Sequence, residues 1–556
     1  MDDITIIAPH LSINVVWEPL ITKSAAVGLT VNTEKCQIYS ANMDKIQHEI
    51  TLPAEVKRRS DGLVIVGAPI GSEDFQFRFW DTKIKVIRRN IEKVCKYQDT
   101  QVAMQFMSKC IATQLNYFTR MTDPSLPTAG FLTTQMDNDL CYGLGILLKR
   151  DNLQPTDRAW IQARLAGKHS GLGIQSPKVT HPGAYLAAQI ACRNLIKTQI
   201  DTLQSHQKYT YLCEELRSVI GQMLVEVERS YGIIKTHSVS GGTDIKLTSL
   251  ADLMNGSHTK LQKKLNLHVS QDYYQQLREQ CTGDDLVRLS THSGEASVLV
   301  NVLPKKELWR IPSDQYTQLL CTRLGLPIHY IKTGKCSCGG DIDNDGYHLY
   351  STCRFSNQQV NNTHNAVRDQ WYMFGMAAGY RCSRENAAVF RQQGITDQNG
   401  RVDVVYECFE DAKPLYLDIS VTDARQLKTH DYVNGSKRVY KDGHQAMVRE
   451  TSKHKDYKCF TDTNAIFRPI VSELAGLQAP EARTTFKTVA TKLHHISGGS
   501  KGGIVYNWRA NILMTQYKIS SRGLKERADA EIIKAAAAAG FVLEDVNYDT
   551  VAHCRT

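Results

Sequence analysis

Cys336-x-Cys338 is followed after nine residues by His348 and after four more by Cys353, offering three thiolates and one imidazole. That is the ligand set of a closed tetrahedral zinc site. Gly339, Gly340 and Gly346 let the loop turn tightly around a small ion. Structural zinc would stabilise a segment too short and polar to fold alone. The same loop carries Asp341-x-Asp343-x-Asp345-Gly346, which mimics the opening of an EF-hand. Its twelfth position is Thr352 where calcium coordination calls for glutamate, so calcium is rejected.

A second chemical signal lies downstream. Residues 401–407 and 415–421 form two candidate strands, and Glu410-Asp411-Ala412-Lys413-Pro414 between them is turn chemistry, so an antiparallel hairpin is expected. A turn centred near Glu410 and Asp411 sets Asp403 and Asp418 opposite each other on one face. Paired carboxylates repel unless a divalent cation lies between them, and aspartate is a poor strand-interior residue. Hard oxygen ligands holding Mg²⁺ are what phosphodiester hydrolysis needs, because the ion polarises the phosphate and acidifies the attacking water. A nearby lysine can orient that water and stabilise developing charge, and Lys437, Lys441, Lys453 and Lys455 are the candidates. Glu385 is a candidate third carboxylate. The competing reading is an exposed hairpin with two solvated aspartates.

The elements that must position these residues follow from periodicity. His364 is expected to start a helix carrying Val367, Trp371 and Phe374 on one stripe, with Gly379 as its stop. Upstream, residues 4–8 read as a strand, 17–28 as a helix, and 29–39 as a second strand. Residues 64–66 then enter the glycine turn at Gly67 to Gly71. Ile84, Ile87, Ile91 and Val94 recur at helical spacing, with Lys85, Arg88 and Arg89 on other faces. Those basic residues suit either a solvated face or phosphate contacts. A further helix over 99–120 and a helical block over 140–230 follow. Residues 235–310 read as polar and irregular, residues 497–503 as a flexible hinge, and 523–539 as a terminal helix.

At 556 residues the chain exceeds one core, and about three or four domains are expected. Its 42% hydrophobic and 22% charged content is that of globular protein and excludes a disordered chain. A net charge of +10 suits a polyanionic partner. Fifteen scattered cysteines do not suggest a secreted disulfide framework, and residues 1–25 have no basic leader. No stretch approaches the roughly 18 apolar residues of a membrane span. A reducing compartment, nuclear or cytoplasmic, is expected, without membrane association.

These residues together resemble a known family, the non-LTR retrotransposon proteins that carry a restriction-like endonuclease. Cys336, Cys338, His348 and Cys353 match its zinc knuckle. Asp403 matches the first catalytic aspartate of its PD-(D/E)XK-type nuclease, with Val402 where the family usually has proline, and Asp418 the second acidic position. Lys453, four residues before Tyr457, matches the family's lysine ahead of a tyrosine, with Lys455 as the alternative. Asp2-Asp3 resembles the polymerase turn that binds Mg²⁺. Gly28 to Cys36 and Gly67 to Gly71 resemble the next palm motif and the primer grip.

The resemblance implies an α+β multidomain chain. Its parts would be a partial reverse transcriptase palm over 1–75, a helical thumb and following helical block over 76–230, and a linker over 231–314. A zinc knuckle over 315–360, a restriction-like endonuclease over 361–496, and a hinge with a C-terminal helix over 497–556 would follow. It further implies structural zinc and catalytic Mg²⁺, a DNA target and an element RNA as partners, and Mg²⁺-dependent DNA cleavage in target-primed retrotransposition. Polymerisation would need a further palm aspartate and fingers, so this chain alone is not expected to polymerise. A non-catalytic nucleic-acid-binding remnant is the alternative.

Overall fold

The computed structural model describes residues 4–205, 209–238, 249–255, 260–392, 401–410, 412–425, 442–461 and 463–538. It is a mixed α+β molecule, mostly helical, with small sheets. No helix among the described residues is long and apolar enough to cross a membrane.

The largest sheet has four strands, β1 (Arg381–Asn386), β2 (Val402–Glu410), β3 (Lys413–Thr422) and β4 (Ile466–Glu473), in the order β4-β3-β2-β1. The pairings β1·β2 and β2·β3 are antiparallel, and β4 lies parallel to β3. Apolar residues occupy both faces of the central hairpin. Val404, Tyr406, Leu415, Leu417 and Ile419 pack with Trp371 and Phe374 of α4 (Asn357–Ala377) and with Phe486 and Val489 of α6 (Pro480–Ser497). Val405 and Tyr416 face the other way, against Val389, Phe390 and Phe460. The period of two places Asp403 and Asp418 on this second face.

The hairpin register depends on an irregularity. Glu410 pairs with Lys413 near the turn, and the next pair is Tyr406 with Leu415. Residues 407–409 of β2 thus span the interval that Pro414 alone covers on β3, and Cys408 adopts φ +53° within this bulge. Continuing the pairing beyond Val404 and Leu417 sets Asp403 across from Asp418.

A second core joins the helical part of the chain to the cysteine-rich loop. Trp80, Ile84, Ile87 and Ile91 of α1 (Glu73–Cys95) meet Leu140 and Leu144 of α2 (Pro127–Leu147) and Tyr316, Leu319 and Leu320 of α3 (Ser313–Leu324). Leu349, Cys353 and, from α7 (Lys501–Ala538), Leu513, Met514 and Leu524 belong to the same cluster.

Several local expectations are revised. Residues 4–9 form no strand, and the first helix is His10–Ala26. Of residues 29–39 only Gln37–Tyr39 is strand. The helix expected over 99–120 is broken into Thr100–Phe106, a wider turn over Met107–Ile111, and Asn116–Met121. The stretch read as irregular contains helices Leu261–Gln280 and Gly283–Thr291. Leu261, Leu265, Val269 and Leu277 are spaced for one buried stripe within otherwise polar sequence, which masks the signal. The hinge is shorter than expected. Gly498 ends α6 at φ +65°, and Gly502 and Gly503 already lie inside α7.

Candidate functional site

The metal-ligand cluster is built by a tight loop. Gly334–Lys335 and Asp341–Ile342 pair antiparallel, and between them the Cys336 amide donates to Gly340 O at 2.8 Å while the Gly339 amide donates to Cys336 O at 2.8 Å. This brings Cys336 and Cys338 beside His348 and Cys353, whose ligand atoms all lie within 4.8 Å of one another. Cys338 Sγ is 3.1 Å from His348 Nε2, and Cys336 Sγ is 3.7 Å from Cys353 Sγ.

Three soft thiolates and an imidazole in this spacing fit zinc. Burial pushes the Cys336 thiol up to about 11, whereas the Gly340 amide draws Cys338 down to about 7. His348 Nδ1 lies 3.2 Å from Thr352 Oγ1, the kind of contact that fixes a ligand ring. Gly340 is required because a Cβ there would lie 2.4 Å from the His348 ring. The acids of the EF-hand-like run are otherwise engaged. Asp343 accepts from the amides of Tyr347 and His348 at 2.7 Å each, and Asp345 pairs with Arg425 at 2.6 Å.

The second cluster centres on the hairpin acids. Asp403 Oδ2 accepts from the Ile419 amide at 2.6 Å and from His364 Nε2 at 3.2 Å. His364 sits in the second turn of α4, which begins at Asn357 and not at the histidine, so its ring reaches the sheet from the helix. Lys453, on α5 (His444–Asp456), places Nζ 2.8 Å from Asp418 Oδ2, and the Tyr457 hydroxyl donates to Asp418 Oδ1 at 2.8 Å. The Lys453 ammonium also lies 5.7 Å from the centre of the Tyr457 ring. Burial raises the Asp418 carboxyl above its usual range, the Asp403 charge adds to this, and Lys453 opposes it. The hydrogen bond to Asp403 raises His364. Burial and Asp418 raise the Tyr457 phenol.

The remaining candidate residues are distributed differently. Glu385 adopts φ +48° at the end of β1, forms an ion pair with Arg368, and lies 3.7 Å from Arg401. Among the described residues the Cys₃His cluster is the one place where three or more metal-ligating atoms converge, so Glu385 does not join Asp403 and Asp418 in such a group. Lys455 is exposed, whereas Lys437, Lys441, Asp2 and Asp3 lie outside the described residues. Arg88 is committed to Asp139 of α2 at 2.9 Å, tying two helices together. Lys85 pairs with Asp81 at 2.7 Å on the exposed side of α1, and Arg89 is exposed.

Sequence reasoning missed the contact from His364, because nothing local tells which strand a helix face will meet. No protein-family model and no curated protein matches the chain.

Proposed function

We propose that this chain is a retrotransposon-type nucleic-acid-binding protein whose reaction is Mg²⁺-dependent cleavage of DNA. The observation that carries this reading is the buried Asp403–Asp418 pair with Lys453 and Tyr457 at its edge. Mg²⁺ retains several waters and needs only one or two protein carboxylates, with substrate phosphate completing its shell. The two aspartates fit that demand without Glu385. When bound, the ion would polarise the phosphate and acidify the water that attacks phosphorus.

The side chains divide the remaining work. Asp403 and Asp418 hold the cation. Lys453 offsets the charge that grows on the phosphate as the new P–O bond forms and the bond to the leaving 3′ oxygen breaks; that oxygen takes a proton from solvent. Tyr457 fixes the rotamer of Asp418. The Cys₃His loop would carry structural zinc, and exposed Lys85, Arg89 and Lys455 would contact phosphates of target DNA or element RNA.

A second reading has its own support. Both aspartates already have protein partners, His364 and Lys453, as in a metal-free structural pair. The protein would then bind nucleic acid without cutting it. Incubating supercoiled plasmid and Mg²⁺ with the wild-type protein and with Asp403→Ala separates the two: nicking lost in the variant supports the nuclease, and equal nicking by both removes it.

A further inference from the structure

Helix α7 runs from the sheet core to the cysteine loop, and at the loop it presents charge where packing would call for apolar residues. Arg527 Nη2 lies 3.5 Å from Cys353 Sγ and 3.9 Å from Cys336 Sγ, with hydrogen-bonding geometry to both. Glu531, one turn on, accepts from Arg527 at 3.1 Å and from both the amide and hydroxyl of Ser337 at 2.7 Å. Ser337 is the residue between the first two thiolates. The side chains of Arg527 and Glu531 are 10% and 7% exposed.

A buried guanidinium requires compensating negative charge. Glu531 supplies part of it but is shared with Ser337 and with Lys534 at 3.6 Å. Three thiolates around a divalent ion carry a net charge of −1, and their sulfurs are what Arg527 faces. We infer that Arg527 is the counter-ion of the metal–thiolate centre and that Glu531 holds it in place. The inference rests on the zinc reading of the loop. It makes Arg527 a positioning residue that strengthens metal binding from outside the ligand set, through N–H···S bonds and charge neutralisation. Arginine suits this because one Nη2 of its planar, delocalised guanidinium reaches both sulfurs as well as Glu531.

The test uses the full chain loaded with zinc or, as a spectroscopic probe, cobalt(II). Competition against a chelator is expected to show zinc held roughly 10- to 100-fold less tightly by Arg527→Met. Arg527→Lys, which keeps the charge, is expected to recover part of that loss. Removing N–H···S bonds leaves the sulfur electrons less stabilised, so the thiolate-to-cobalt charge-transfer band should move to lower energy in Arg527→Met. The inference is overturned if Arg527→Met holds zinc as tightly as wild type. It is overturned equally if methionine and lysine variants lose the same affinity with an unshifted band, the pattern of a packing role alone. Wild-type protein that takes up no zinc would instead remove the zinc reading itself, and this inference with it.

Discussion

Lys453 reaches across from α5 to place its ammonium 2.8 Å from Asp418, a carboxylate that β3 holds inside the sheet. The pairing joins a helix to an earlier strand, and it leaves Lys455, two residues on, exposed. The two lysines should therefore behave differently. Lys453→Met is expected to slow plasmid nicking on the order of 100-fold, the cost of losing one charge-stabilising group, while Lys455→Met leaves the cleavage rate near that of wild type. Rates at saturating Mg²⁺ check this, and the reverse order would assign the role to Lys455.

Asp418 also carries a pH signature. Its carboxyl titrates above the ordinary value of 3.8 in the folded protein, with burial as the main cause. The folded state therefore binds this proton more tightly than the unfolded state. The contribution is fully favourable below the unfolded value and is lost as pH rises through the folded one. Without added divalent metal, Tm of the wild type minus that of Asp418→Asn should fall as pH climbs through this window. Mg²⁺ should reduce the fall if it binds the ionised pair. A pH-independent difference would show that Asp418 is not the titrating group.

The cysteine loop shares its core with α7, so its metal should matter beyond the loop. His348→Ala is expected to lower zinc stoichiometry and Tm together, since folding of such a segment depends on the bound ion. Gly340→Ala should weaken zinc without replacing a ligand, because its methyl group would press on the His348 imidazole. Metal analysis and thermal melts of both variants provide the check. Full zinc in His348→Ala would contradict the ligand assignment.

The basic residues of α1 should separate by role. Arg88→Ala breaks the tie to Asp139 and is expected to lower Tm slightly, with little change in DNA affinity. Lys85→Ala and Arg89→Ala should each lower affinity for any sequence and reduce the slope of log affinity against log salt by about 1. Unchanged slopes in both would remove this face from the interface.

The parts of the site that were legible in the sequence are those whose chemistry is local. Cys336, Cys338, His348 and Cys353 lie within one short segment, and glycines mark how it must bend. The hairpin was legible because turn chemistry sits between two runs rich in β-branched and aromatic residues. Lys453 was one of four candidate lysines, and only the family resemblance, with its lysine ahead of a tyrosine, singled it out. What escaped depends on long-range packing. His364 meets Asp403 only because α4 lies against the sheet, and Arg527 meets the thiolates only because α7 extends that far. Glu385 has a suitable type and position, yet Arg368 on the neighbouring helix engages it. The stripe Leu261, Leu265, Val269 was diluted by polar neighbours.

The bulge around Cys408 has a consequence for how this centre tolerates change. Two surplus residues there convert a pairing that would have put Asp403 opposite Ser420 into one that puts it opposite Asp418. Removing both would leave a regular ladder in which Tyr406 still meets Leu415 and Asp403 still lies opposite Asp418. Removing one would leave a one-residue bulge and the same pairing beyond it. The bulge thus takes up chain length between the turn and the acids without moving either of them. A single-codon deletion beside the turn would shorten the bulge and leave the two acids facing each other.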